Sequence, residues 1–206
     1  MTEALAIRKM FFEDIEGLSN AFIQQGWPGR REILKNYFLE QEAGERQVLV
    51  AVVGESLAGH ITVIPLAKHG PFASLYPELT DFNVFESFQK RGIGTALLNK
   101  AEQVAQNYSD VVSLGVGLHK GYGPAQRLYV GRGYIPDGSG VWFQNQPLTP
   151  YASCENNDEL VLYFSKRVKS AFRFLRKFLS LIFLYQDTKK NEMNKIRTKI
   201  DIFILP

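Results

Sequence analysis

The stretch FNVFESFQKRGIGTALLNKAE, Phe82 to Glu102, runs from a β-rich segment through a short polar turn into a helix with two glycines in its first turn. Helix N-terminal amides are unpaired donors at the positive end of the helix dipole, and glycine lets an anion approach the backbone without meeting a Cβ. QKRGIGT, Gln89 to Thr95, therefore reads as a phosphate cradle, with Lys90 and Arg91 adding positive charge. Spacing alone leaves a second reading open, in which Gly92 and Gly94 simply make a tight turn. Two other phosphate motifs can be tested directly. A P-loop needs GxxxxGK followed by Ser or Thr, and no such run occurs; a dinucleotide fingerprint needs GxGxxG, and its third glycine position holds Leu97.

Working outward, Leu5 to Arg8 reads as a short strand and Phe12 to Gln25 as a helix, with apolar residues at Phe12, Ile15, Leu18, Phe22 and Ile23. Gly26, Pro28 and Gly29 break that helix, and Ile33, Leu34, Tyr37 and Phe38 mark a second one ending near Gly44. Gln47 to Val53 and Leu57 to Pro65 read as a hairpin, and Leu79 to Phe85 as a third β-rich run. A helix from Gly92, a strand from Val111 to Val116, a helix from Pro124 to Gly131, and late strands at Val141 to Phe143 and Leu160 to Phe164 follow. Antiparallel hairpins combined with a β-α-β crossover predict a mixed α+β fold, or an α/β fold with a mixed sheet.

With Gln89, Gly92 and Gly94 in that register, the chain resembles the GCN5-related N-acetyltransferases (GNAT), whose signature is Gln or Arg, two residues, Gly, any residue, then Gly or Ala. AQRLYVGRGY, Ala125 to Tyr134, matches the family's downstream segment through Ala125, Leu128, Tyr129, Gly133 and Tyr134, and DFNV, Asp81 to Val84, falls on its central strand. The similarity in element order covers residues 4 to 168. It implies a central mixed, mostly antiparallel sheet flanked by helices. It also implies an acyltransferase that carries acetyl from acetyl-CoA to a primary amine of a small molecule or peptide, by direct attack in a ternary complex.

The same resemblance implies roles for individual residues. Amides of Gln89, Lys90, Arg91, Gly92, Ile93, Gly94 and Thr95 would bind the CoA pyrophosphate, with the Thr95 hydroxyl as a further donor. Phe82, Asn83 and Val84 would run beside the pantetheine arm, with the Val84 amide polarising the thioester carbonyl. Tyr129 would sit near the CoA sulfur as catalytic general acid; a core tyrosine on an amphipathic helix is the alternative. Tyr122 stands where the family often has an asparagine that contacts the pantetheine. Two other functions share the motifs: a non-catalytic acyl-CoA-binding or sensing module, and a protein N-terminal acetyltransferase.

For the catalytic base Asp81 is the first candidate, because it interrupts an apolar strand where an unpaired carboxylate is costly. A satisfied structural carboxylate is the equal alternative. Glu78 is the second candidate, at the strand's start, and Glu86 reads as solvated. His119 reads as an exposed loop histidine, and His60 and His69 have no partners at metal-ligand spacing, so no metal site is expected.

Composition bounds the rest. Of 206 residues, 45% are apolar and 13% aromatic, enough for one substantial core, and Cys154 is the lone cysteine. The first residues lack a basic start followed by an apolar run, and no uncharged stretch has the length of a bilayer span, so a cytoplasmic location without a transmembrane segment is expected. Residues 1–168, the expected catalytic domain, carry 15 Lys/Arg against 18 Asp/Glu, a net −3, which does not suit nucleic-acid binding. Residues 169–206 form a basic, aromatic-rich C-terminal extension of net +6, with 9 Lys/Arg against 3 Asp/Glu. Its segment SAFRFLRKFLSLIFLY is expected to dock on the body or to form a homodimer contact rather than to lie on lipid.

Overall fold

The structure, a computed structural model, describes residues 4–168, and the C-terminal extension lies outside the described residues. The elements are β1 (Leu5–Lys9), α1 (Asp14–Gln24), α2 (Arg31–Glu42), β2 (Gln47–Val53), β3 (Ser56–Ile64), β4 (Glu78–Val84), α3 (Ile93–Ala105), β5 (Val111–Gly117), α4 (Gly123–Gly131), β6 (Ile135–Phe143), β7 (Gln146–Pro147) and β8 (Leu160–Arg167). The strands form one eight-stranded sheet in the order β1-β2-β3-β4-β5-β8-β6-β7. Every neighbouring pair is antiparallel except β4 and β5, which are parallel. The fold is thus mixed α+β, with a mostly antiparallel sheet flanked by helices.

The sequence QVLVAVV of β2 explains why both faces are covered. Alternate side chains of a strand point to opposite faces. Leu49, Ala51 and Val53 join the cluster under α3, with Leu97, Leu98 and Ala101, while Val48 and Val50 join the cluster under α1 and α2, with Leu18, Phe22 and Leu34. β3, between them in the middle of this half, is buried from Ala58 to Ile64. A strand covered on both faces reads as a continuous apolar run, as β2 does, whereas the buried stretch of β3 also carries His60 and Thr62.

A carboxylate with four donors ties α3 to the far half of the sheet. Glu102, 8% exposed, accepts from Arg132 Nε and Nη2, from Tyr134 Oη at 3.1 Å and from Lys166 Nζ at 3.0 Å. Burying one carboxylate is tolerable here because two cations and a phenol surround it.

β6 is much longer than the Val141–Phe143 run read from the sequence. Between the pairs Pro136↔Phe164 and Val141↔Leu162 the register shifts, and Gly138 (φ 87) and Gly140 (φ 86) adopt left-handed conformations. Pro and two glycines in a row of nine resemble a turn, while β8 alongside holds the segment in the sheet as an irregular stretch in which four residues of β6 oppose one of β8.

Candidate active site

β4 and β5 touch only briefly. Their register comprises two pairs, Glu78↔Ser113 and Leu79↔Leu114, after which the strands separate. A bulge on β4 accompanies the split: His60 opposes Asn83 and Thr62 opposes Thr80, so β4 carries one extra residue over that interval. Asp81 occupies the bulge with φ 49. Beyond it, the Phe85 N–H donates to Ala58 at 3.0 Å. By the alternation of an antiparallel ladder, the N–H groups of Val84 and Phe82 then face the edge that β5 has left. A cleft with backbone donors along one wall results.

The loop at the open end of this cleft is built for close approach. Gln89 turns back and its Nε2 donates to the Val84 carbonyl at 3.0 Å. Lys90 (φ 59) and Gly92 (φ 79) are both left-handed, and Gly92 caps α3. The first i→i−4 bond of α3 runs from Ala96 N–H to the Gly92 carbonyl, leaving the amides of Ile93, Gly94 and Thr95 as the free donors of its first turn. Left-handed residues alternating with other conformations turn successive N–H groups inward, a form that binds anions. A Cβ on Gly94 would lie 3.1 Å from Phe82 Cζ, whereas one on Gly92 would meet nothing within 4 Å. Gly94 is therefore crowded, with a Cβ there needing the Phe82 ring to give by a few tenths of an ångström, whereas Gly92 is favoured by conformation. Lys90, Arg91 and Thr95 are exposed, and the Arg91 guanidinium lies over the Phe88 ring at 5.5 Å.

Tyr129 of α4 lines the face of the sheet that α3 covers. It is 6% exposed, its ring centroid is 6.3 Å from Phe82 and 5.7 Å from Tyr134, and its hydroxyl has no hydrogen-bond partner among the described residues. Burial, with a smaller contribution from Tyr122, holds its phenol well above the ordinary tyrosine range. Tyr122 lies flat on β5: a Cβ on Gly117 would be 2.3 Å from its ring. Its hydroxyl donates to Asp158 at 3.0 Å, and Asp158 also pairs with His119 Nε2 at 2.8 Å. Burial and the Asp158 hydrogen bond push Tyr122 up to about 12. Tyr163 of β8 lies beside Gly115, and burial with the nearby Glu78 and Asp137 charges pushes it up to about 12 as well.

The two candidate bases differ in environment. Asp81 is not an unpaired carboxylate: it accepts from Arg30 Nη1 at 2.6 Å and Asn83 Nδ2 at 2.9 Å, and His60 Nε2 lies at 3.3 Å. Burial pushes its carboxyl up, but the hydrogen bonds and charges of His60 and Arg30 outweigh burial and hold it well below the usual carboxylate range. The Glu78 side chain, on the paired stretch just before the two strands part, has no hydrogen bond or ion pair among the described residues. Burial, opposed only by the charge of Arg46, pushes it up to about 7. Sequence reasoning missed Arg30 and His60 as partners of Asp81, and Tyr122 with Asp158 as a wall. Sequence separations of 51 for Arg30 and 21 for His60 leave no local signal. No group of three or more His, Cys, Asp or Glu suited to a metal occurs among the described residues, and no helix there is long and apolar enough to cross a membrane.

This geometry has known counterparts. A GNAT-family protein from Desulfovibrio desulfuricans is 16% identical with a TM-score of 0.62, covering 81% of this chain and all of its own. YncA from Salmonella typhimurium, solved with its cofactor acetyl-CoA, is 17% identical with a TM-score of 0.58 over 81% of this chain and 95% of its own. NAA60 from Arabidopsis thaliana, solved with a bisubstrate analogue, is 20% identical with a TM-score of 0.59 over 82% and 100%. At these identities the likeness is one of fold. No curated protein matches the chain by sequence. The sequence model of the acetyltransferase (GNAT) family matches residues 12–134, from the first helix to the end of the AQRLYVGRGY segment. With the cleft, the phosphate-type loop and the mixed sheet in place, the chain belongs to the GNAT acetyltransferase family.

Proposed function

We propose that the protein is an acetyl-CoA-dependent N-acetyltransferase acting on a primary amine of a small molecule or peptide. The observation that carries this reading is the continuity of one donor-lined path. The left-handed loop and free first-turn amides of α3 stand at one end, the unpaired edge of β4 along the middle, and Glu78 on the paired stretch just before the strands part. A pyrophosphate suits the amides of Gln89 to Thr95, and an extended amide-bearing arm suits the edge of Phe82, Asn83 and Val84. Acetyl-CoA supplies the activated acetyl group.

The chain's own residues divide the remaining work. Glu78, close to 7, accepts a proton from the acceptor ammonium near neutral pH. The Phe82 N–H, beside Tyr129, polarises the thioester carbonyl, and the Val84 N–H, farther toward the loop, holds the arm; this assigns to Phe82 the donor role that the resemblance suggests for Val84. As the N–C bond forms and the C–S bond breaks, the amine's second proton passes to the sulfur through the Tyr129 hydroxyl. A phenol held above its ordinary range suits such a relay, since it ends the cycle protonated. Asp81, held far below 7, is assigned a supporting role instead of the base. The reading assigns catalysis to residues 1–168 and the protein to the cytosol, where the single, exposed Cys154 is in keeping.

The test is thiol release from acetyl-CoA against a panel of polyamines, aminoglycosides and peptides with free N-termini. Amine-dependent release is expected, with kcat in Tyr129→Phe lowered at least about ten-fold and CoA affinity unchanged. CoA binding without turnover on any amine would replace this reading with the sensing module. Activity confined to peptide N-termini would identify a protein N-terminal acetyltransferase.

A further inference from the structure

Asp81 holds a left-handed conformation, φ 49, inside a strand. Non-glycine residues stay there only where their surroundings over-determine them. Three donors from three parts of the chain do so here: Arg30 ahead of α2, His60 on β3 and Asn83 on β4 itself. His60 is fully buried, and its Nδ1 has no partner among the described residues.

Arg30 is itself held by packing. Its guanidinium lies over the Phe22 ring at 5.3 Å, and that buried ring also meets His60 edge-on at 5.8 Å and Phe85 at 5.2 Å. The turn that presents Arg30 is packed against α1, since a Cβ on Gly29 would lie 3.0 Å from both Ile23 Cδ1 and Ser19 Oγ. On the other side, β3 presses onto the same part of β4: a Cβ on Gly59 would lie 2.3 Å from the Asn83 carbonyl oxygen and 2.9 Å from Val84 Cα. β4 from Asp81 to Val84 is thus wedged between the β3 backbone and the α1–α2 turn. The residues so wedged carry the N–H donors of the cleft.

We infer that Arg30 is a positioning residue: through Asp81 it fixes the bulge that aims the Phe82 and Val84 N–H groups, so that the α1–α2 turn and the acetyl-holding strand move as one unit. The inference rests on the acetyl-CoA reading above. Its consequence is that Arg30 influences turnover without touching the phosphate loop, and that Arg30 and Asp81 act as a pair. His60 is the fixed post against which the pair closes.

The test compares Arg30→Met, Arg30→Lys, Asp81→Asn and the double variant Arg30→Met/Asp81→Asn in the full chain. Arg30→Met is expected to lower kcat roughly ten-fold through misaimed donors while weakening CoA by no more than about five-fold, since the phosphate loop is untouched. Arg30→Lys should recover part of that loss, and the double variant should be no worse than Asp81→Asn alone, because both remove the same contact. Backbone amide resonances of Phe82 and Val84 should shift in Arg30→Met without CoA present, a readout independent of turnover. If Arg30→Met does not fold, Arg30→Lys carries the test by the same resonances. Unmoved resonances with unchanged kcat would overturn the inference, as would an Asp81→Asn variant without turnover beside a fully active Arg30→Met, which would make Asp81 the base. Absence of thiol release in the wild-type protein would instead overturn the acetyltransferase reading and leave the resonance shift to decide this one.

Discussion

Glu78 and Asp81 stand three residues apart on β4 and differ in what surrounds them rather than in chemistry. Asp81 has Arg30, His60 and Asn83 at hydrogen-bond range; the Glu78 side chain is buried with no partner at that range among the described residues. Burial raises the Glu78 carboxyl from 4.5 to about 7, which corresponds to roughly 3 kcal/mol. The sign follows from linkage. Below about pH 4.5 both folded and unfolded chains hold this proton and Glu78 costs nothing. Between 4.5 and 7 the unfolded chain releases it first, so stability falls as pH rises, and above 7 the full cost remains. Glu78→Gln should therefore match the wild type in denaturant at pH 4.5 and exceed it by up to about 3 kcal/mol at pH 8, while losing amine acetylation by about a hundred-fold. A stability difference that does not grow between those two pH values would show that Glu78 is not held protonated by burial. Read from sequence, Asp81 ranks ahead of Glu78 because no partner for it is visible along the strand; the reverse order proposed above depends on Arg30 and His60, which only tertiary folding brings to Asp81.

At the level of the element, the segment from β4 to α3 was the most legible part of the chain, and its geometry separates two uses of glycine. Gly92 needs its left-handed φ of 79 but has open space around it, and Gly94 has an ordinary φ but a crowded Cβ position. Substituting Gly92 by asparagine, which tolerates the left-handed region, should leave CoA affinity within about five-fold. Substituting it by valine should weaken CoA roughly thirty-fold, since a β-branched residue resists that conformation by about 2 kcal/mol. Calorimetric titration with CoA distinguishes the cases, and equal weakening in both variants would mean that the ligand, rather than the backbone, excludes a Cβ there. The β6 segment was poorly legible for a related reason. There the glycines bend a strand that β8 keeps in the sheet, and glycine spacing cannot distinguish a bend inside a sheet from a turn between elements. Two-residue β7 carries too short a pattern to be read at all.

Taken as a whole, the sheet is two halves, β1 to β4 and β5 to β8, joined edge to edge by only two residue pairs. What holds them together is α3, whose Leu97, Leu98 and Ala101 share one core with Leu49, Ile61 and Leu79 on one side and Leu114 and Val116 on the other. The Glu102 cluster extends that hold to Lys166 of β8. A ligand lying in the cleft along β4, with its phosphates at the head of α3, would bridge the element that spans both halves and the open seam between them. Acetyl-CoA at a hundred times its dissociation constant should then add about 2.7 kcal/mol of stability and raise the midpoint of thermal unfolding by roughly 5–10 °C. ATP, which offers phosphates without a pantetheine arm, should produce a much smaller shift at the same concentration. Gly92→Val should lose most of the acetyl-CoA shift and should also lower the unliganded midpoint by roughly 4–8 °C, because a side chain at φ 79 is strained even though it meets nothing. Equal shifts with ATP and acetyl-CoA would mean that only the loop binds and that the seam between β4 and β5 stays empty, which would remove the arm-holding role from Phe82, Asn83 and Val84.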